Sequence, residues 1–160
     1  MKKVLSLLLA LVFVVAAFPV TVASAADVIE ISDAAQLAAI GTNDNYPLSG
    51  SYKLTKSISL SGYDNWTPIG NGSAFSGTFE GNGKTISGLK VNTGGTYAGL
   101  FGQVSGTVKN LTVTGDVTLN YSSSSATSVY AGILAGNVSG FLATIDSCST
   151  SGNVTVTSNC

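Results

Sequence analysis

The chain has 160 residues, with seven lysines against eight acidic residues, a formal net charge of −1, and neither arginine nor histidine. Without histidine there is no H-E-x-x-H zinc site and no Ser-His-Asp triad. So weak a positive charge also lacks the basic footprint that phosphate backbones require, which argues against a nucleic-acid partner.

The segment 1–26 differs in kind from the rest. Met1-Lys2-Lys3 is a short basic start, 4–18 is almost unbroken apolar sequence, Pro19 ends the run, and Ala23-Ser24-Ala25 supplies small residues at cleavage-site spacing. That layout predicts a secretory signal peptide over 1–26. Its apolar core is shorter than the roughly 20 residues a spanning helix needs. The mature chain is therefore expected to be exported, with no membrane attachment after cleavage.

An N-terminal cap is expected over 27–51. Ser32 is placed to cap a short helix over 33–40, with Gly41 as its stop. Asn43-Asp44-Asn45 reads as a solvated turn before Pro47 rather than a calcium loop, because no acidic ligand follows at the required spacing. Positions 52–60 read as a strand, 61–65 as a turn, and 66–70 (W-T-P-I-G) lead into 75–79 (F-S-G-T-F).

From position 52 to 160 the main signal is internal repetition. The segments 85–91 (T-I-S-G-L-K-V), 107–118 (T-V-K-N-L-T-V-T-G-D-V-T) and 144–155 (T-I-D-S-C-S-T-S-G-N-V-T) superimpose, so the spacing is 22 from 85 to 107 and 37 from 107 to 144. The segment 98–106 (A-G-L-F-G-Q-V-S-G) matches 132–140 (G-I-L-A-G-N-V-S-G) in the same way. Short, β-branched, glycine-punctuated units at such a period predict an all-β solenoid, a right-handed parallel β-helix of about 22 residues per coil. The serine-rich stretch 121–128 is then an outward loop that lengthens the third copy.

Ile86, Val108 and Ile145 are expected in one inward column, and Leu89, Leu111 and Cys148 in another. Their spacing of three requires a corner at Ser87-Gly88, Lys109-Asn110 and Asp146-Ser147, where Gly and Asn tolerate left-handed backbone angles. Cys148 is then a small buried hydrophobe beneath Leu111. Cys160 lies about half a coil away, so a bond between the two is not expected. The third copy ends near Cys160 with no second cap, so the C-terminal coil is expected to be uncapped. The chain would then either continue further or associate with itself or a partner through that open end.

The run W-T-P-I-G (66–70), F-S-G-T-F-E-G-N-G-K-T-I-S-G-L (75–89) and A-G-L-F-G (98–102) resembles the GLUG-motif repeat region of bacterial secreted and cell-surface proteins. The resemblance implies a right-handed β-helix in large extracellular proteins. These include adhesin-like proteins and immunoglobulin-cleaving metalloproteases, in which the repeats are accessory.

No catalytic, metal or cofactor residues are identified. Asp64, Asp116 and Asp146 are scattered rather than paired, with Asp116 and Asn153 aligning as turn residues. Among Tyr63, Trp66, Tyr97, Tyr121 and Tyr130, which could form a sugar-stacking platform, Tyr121 beside the serine-rich stretch is the candidate ligand contact. Thr85, Thr107 and Thr144 stand one per coil, too sparse for an ice-binding array. The expected function is a non-catalytic secreted or cell-surface module with an adhesion or scaffold role, meeting a host matrix, glycan or protein surface. The alternative is a passive accessory domain of a larger secreted enzyme.

Overall fold

The computed structural model describes residues 27–122 and 128–159; the expected signal peptide, most of the serine-rich stretch and Cys160 lie outside them. In chain order the elements are β1 (Val28–Ile31), α1 (Ala34–Ala39), β2 (Ser51–Leu54), β3 (Ile58–Ser59), β4 (Thr78–Thr93), β5 (Tyr97–Ala98) and β6 (Phe101–Val104). There follow β7 (Thr107–Ser122), β8 (Tyr130–Ala131), β9 (Ala135–Val138), β10 (Thr144–Asp146), β11 (Ser149–Ser151) and β12 (Val154–Asn159). The protein is thus mostly β.

Every pairing among the described strands is parallel. One large sheet runs β1-β2-β4-β7-β10, with β3 joining β4, and β11 and β12 joining β7; β5–β8 and β6–β9 form two small sheets. Parallel neighbours need long connections, and here each connection returns the chain to the same place one strand further on. Val28 pairs with Ser51, Ser51 with Thr78, Thr78 with Thr107 and Thr107 with Thr144. Judged by these partners, each circuit is longer than the one before it.

Side chains that point inward stack into columns. Tyr52, Phe79 and Val108 make one, Ile58, Ile86 and Val113 a second, Val91 over Val117 a third and Phe75 over Val104 a fourth. All of these are buried. Each large side chain so removed from water contributes about 1.5–3 kcal/mol. Phe101 knits two columns together, with ring centroids 5.3 Å from Phe75 and 5.5 Å from Phe79. The polar tips among these rings are satisfied: Tyr52 Oη donates to Pro47 O at 2.6 Å, and Trp66 Nε1 to Leu100 O at 3.1 Å.

The long strands β4 and β7 bend twice. At the first corner Asn82, Asn110 and Ser147 have φ of 53°, 53° and 52°. At the second, Gly88, Gly115 and Gly152 have φ of 71°, 152° and 142°. The corner expected at Asn110 and Ser147 is therefore present, but Gly88 belongs to the other one. The shorter repeat spacing aligns the second corner of β4 with the first corner of β7, because each places a left-handed residue directly before a leucine, in T-I-S-G-L-K-V and T-V-K-N-L-T-V. The true partners of Val108 and Val113 are Phe79 and Ile86, and Leu89 faces Gly115 rather than Leu111. An insertion at the first corner of β4, marked by a register shift between Glu80 and Lys84, hides this alignment in the sequence. The spacing expected for the last copy is the observed one throughout β10, β11 and β12, from Thr107 on Thr144 to Ser122 on Asn159. The match of 98–106 to 132–140 also holds, with Phe101 on Ala135 and Val104 on Val138.

The N-terminal helix forms with its cap one residue later than expected. Asp33, not Ser32, accepts from Gln36 N at 2.8 Å, while the Ser32 amide donates to Gln36 Oε1 at 2.7 Å. This is a reciprocal arrangement of the capping-box kind. Gly41, with φ of 80°, ends the helix as expected, and Leu37 and Ile40 enter the core. The expected strand over 52–60 is two strands, β2 and β3.

This packing carries two stability predictions. A Cβ on Gly115 would collide with Leu89 O, whereas one on Gly72 would meet nothing within 4 Å. Gly115→Ala is expected to lower stability by about 2–5 kcal/mol through strain and backbone overlap, and Gly72→Ala to leave the urea midpoint almost unchanged. Burial, with a smaller contribution from nearby Tyr46, pushes the Tyr52 hydroxyl up to about 12. That stability is fully present below about pH 10 and is lost as pH rises through the raised value. Thermal melts from about pH 9 upward should show a steeper fall for the natural chain than for Tyr52→Phe.

Candidate functional site

Three places on the described surface gather polar or aromatic side chains. The first is the outer face of the first corner. Left-handed Asn82 turns its amide N–H toward Glu80 Oε1 at 2.6 Å, and Asn110 one strand away donates to both Glu80 oxygens at 3.1 and 3.2 Å. Lys109 Nζ stands 3.5 Å from Glu80 Oε2, and Asn82 Nδ2 donates to Leu54 O at 3.1 Å. With Lys53 and Gly83 these residues line a shallow depression of about 360 Å³. Partial burial pushes the Glu80 carboxyl up, but the Asn82 amide, the Asn110 side chain and the Lys109 ammonium together outweigh it and hold it below the usual range. A carboxylate so engaged is an anchored anion rather than a base with a free lone pair.

The second place is a groove of about 510 Å³ beside α1, between the helix and the 63–73 segment, lined mainly by Ala38, Ile40, Leu48, Tyr63, Trp66 and Ile69. Its polar groups are largely committed. Tyr63 Oη donates to Ala34 O at 3.4 Å, Asn65 exchanges two hydrogen bonds with the Asn92 backbone, and Trp66 Nε1 is held by Leu100 O.

The third place is aromatic, and its residues form pairs rather than a platform. Tyr63 meets Trp66 edge-on at 5.3 Å, and Tyr97 stacks on Tyr130 at 5.4 Å with 13° between the planes. Trp66 is buried, and Tyr130 is the exposed member. Tyr121 does not sit on a loop. It lies in β7, pairs in register with Ser158 of β12, and is half-buried against the core. The added residues of that circuit enter after it. Val91 pairs with Val117 and Thr93 with Leu119, but Tyr97 pairs only with Tyr130, so the lengthening falls between Leu119 and Tyr130.

Other expected residues fall as follows. Asp116 and Asn153 do align, and Asp116 Oδ1 accepts from Asn153 N and Nδ2 at 2.9 and 3.0 Å. Asn43 Oδ1 accepts from Asn45 N at 2.9 Å in an exposed turn. Cys148, expected buried beneath Leu111, is only half-buried, because no further strand covers the last circuit among the described residues. The threonine row is Thr78, Thr107 and Thr144; Thr85 instead pairs with Thr112. No group of three or more His, Cys, Asp or Glu converges among the described residues.

The Glu80 cluster was not legible under the register expected from the sequence, which separates Glu80 from Lys109 and Asn110. A carboxyl held low contributes stability above about pH 4.3 that disappears as pH falls through its lowered value. Acid titration of unfolding should therefore show a drop below about pH 4 that Glu80→Gln reduces. An identical acid limb in both proteins would refute the anchoring role.

No protein-family model, curated protein or solved structure matches the chain.

Proposed function

We propose that this chain is an exported, non-catalytic repeat module: a right-handed parallel β-helix, closed at one end by α1 and β1, that serves adhesion or scaffolding at a bacterial surface. The observation that carries the reading is where its polar side chains spend their hydrogen bonds. Asn65, Asn92 and Asn120 link three successive circuits, as Glu80 with Asn110 and Asp116 with Asn153 each link two. They bind circuit to circuit, those around the shallow depression at Glu80 included, which suits a stiff, repetitive wall. Parallel connections within one sheet are almost always right-handed, which supports the handedness. The GLUG-like segments 66–70, 75–89 and 98–102 and the leader-like segment 1–26 support the surface location.

On this reading, contact with a matrix, glycan or protein surface is made by exposed features of the walls, among them the aromatic side chains of Tyr130 and Phe141. The test is export from a bacterial host followed by adhesion of the purified chain to immobilised matrix proteins and glycans. The mature chain is expected to begin near Asp27 and to bind at least one surface with a Kd below about 100 μM, the weak end of specific recognition. Retention of the 1–26 segment would refute the export reading. Absence of binding across the panel would leave the passive spacer of a larger secreted enzyme as the function.

A further inference from the structure

The chain holds two asparagine–glycine steps, Asn71-Gly72 and Asn82-Gly83. In such a step no side chain stands on the following residue to hinder its backbone nitrogen from reaching the asparagine Cγ. The fold treats the two steps differently. Asn82 is tied down at the first corner: its Nδ2 donates to Leu54 O at 3.1 Å, its own N–H donates to Glu80 Oε1 at 2.6 Å, and its φ is 53°. Before Cγ of Asn82 could meet the Gly83 nitrogen, the anchor to Leu54 would have to break.

Asn71 has no such anchor. It and Gly72 are exposed, in the bend 71–73 between the bridge of Ile69 with Phe101 and that of Phe75 with Val104. Neither the Asn71 side chain nor the Gly72 N–H makes a hydrogen bond among the described residues; Asn71 is held only through its backbone O, which accepts from Gln103 Nε2 at 3.4 Å. Where a Cβ would stand on Gly72 there is no atom within 4 Å. The amide is therefore free to turn toward the next nitrogen, and solvent reaches both reacting atoms.

We propose that Asn71 is a site of spontaneous deamidation selected by the fold. Hydroxide takes the proton of the Gly72 N–H, and the nitrogen attacks Asn71 Cγ. A C–N bond forms, the Cγ–Nδ2 bond breaks, and Nδ2 leaves as ammonia with a proton from water. Water then opens the five-membered imide. Cleavage of the new Cγ–N bond leaves aspartate; cleavage between the Asn71 carbonyl carbon and the Gly72 nitrogen leaves isoaspartate, in which the chain runs through Cγ. Water is the co-reactant, ammonia is the product released, and nothing is oxidised or reduced. Either outcome sets a carboxylate on the rim of the groove beside α1, whose described lining holds no charged side chain. The carbon that isoaspartate adds to the main chain falls in the exposed bend, away from both bridges. A long-lived chain thus acquires negative charge at this groove with age.

The test incubates the purified chain in mildly alkaline buffer, follows the gain of negative charge by anion exchange, and digests the fractions with trypsin. Cleavage after Lys56 and Lys84 places both steps in one peptide, 57–84, whose electron-transfer fragmentation reads each site and separates aspartate from isoaspartate. In the folded chain Asn71 is expected to convert about tenfold faster than Asn82, the rate factor of one hydrogen bond that must break first. In a synthetic 57–84 peptide, which lacks the fold, the two rates should be nearly equal. Gly72→Ala, whose Cβ hinders closure of the imide yet meets nothing in the fold, should slow conversion at Asn71 and leave that at Asn82 unchanged. No conversion at Asn71, equal rates at the two sites of the folded chain, or conversion first at Asn82 would overturn the proposal. The same ratio in the free peptide would also overturn it, by assigning the selectivity to the adjoining sequence rather than to the fold.

Discussion

The parallel pairing of β4 with β7 is the contact on which the rest of the structure depends. These two strands turn both corners together, so their register fixes three stretches of wall at once. Thr78–Glu80, Lys84–Ile86 and Leu89–Thr93 all meet β7 within a single ladder. Side chains alternate along each straight stretch between corners, so a slip of one residue would turn Phe79, Ile86 and Val91 outward. The corners protect against that slip. Left-handed backbone stands at Asn82 and Gly83 of β4 beside Asn110 of β7, and at Gly88 beside Gly115, and a slipped register would put residues with side chains unsuited to it there.

From this constraint the polar chemistry follows. Strand stacking brings like positions of successive circuits side by side, so an asparagine or an acid on the wall finds its partner on the neighbouring circuit. The Asn65–Asn92–Asn120 series and the Asp116–Asn153 pair are examples. Individually such exposed contacts are weak, and their value lies in repetition. They also explain why polar residues typical of turns can line strands here: their side chains are engaged sideways.

Much of the architecture was legible in the sequence. Glycine-punctuated, β-branched repeats pointed to the parallel all-β organisation, and the spacing of the last copy located Val108 over Ile145 correctly. The short helix with Gly41 as its stop was also readable, although Asp33 took the capping place because its carboxylate reaches Gln36 N. The earlier register was not readable, since two left-handed corners per circuit make Gly88 resemble Asn110 and the insertion after Glu80 conceals the shift. The Glu80 cluster was hidden for the same reason. Tyr121 was misplaced because a serine-rich run looks like a loop from its first residue, whereas pairing with β12 carries β7 on to Ser122.

The uniform offset between β7 and all three of the last strands has a consequence for how the molecule assembles. No bulge interrupts it, so the final circuit can be laid down residue by residue on a finished template, as a crystal face grows. The strand pairings among the described residues join neighbours in one parallel series, and order can therefore spread from the β4–β7 pair toward β10, β11 and β12. Amide exchange would grade in the opposite sense, fastest in β10–β12, where each strand has a neighbour on one side alone among the described residues.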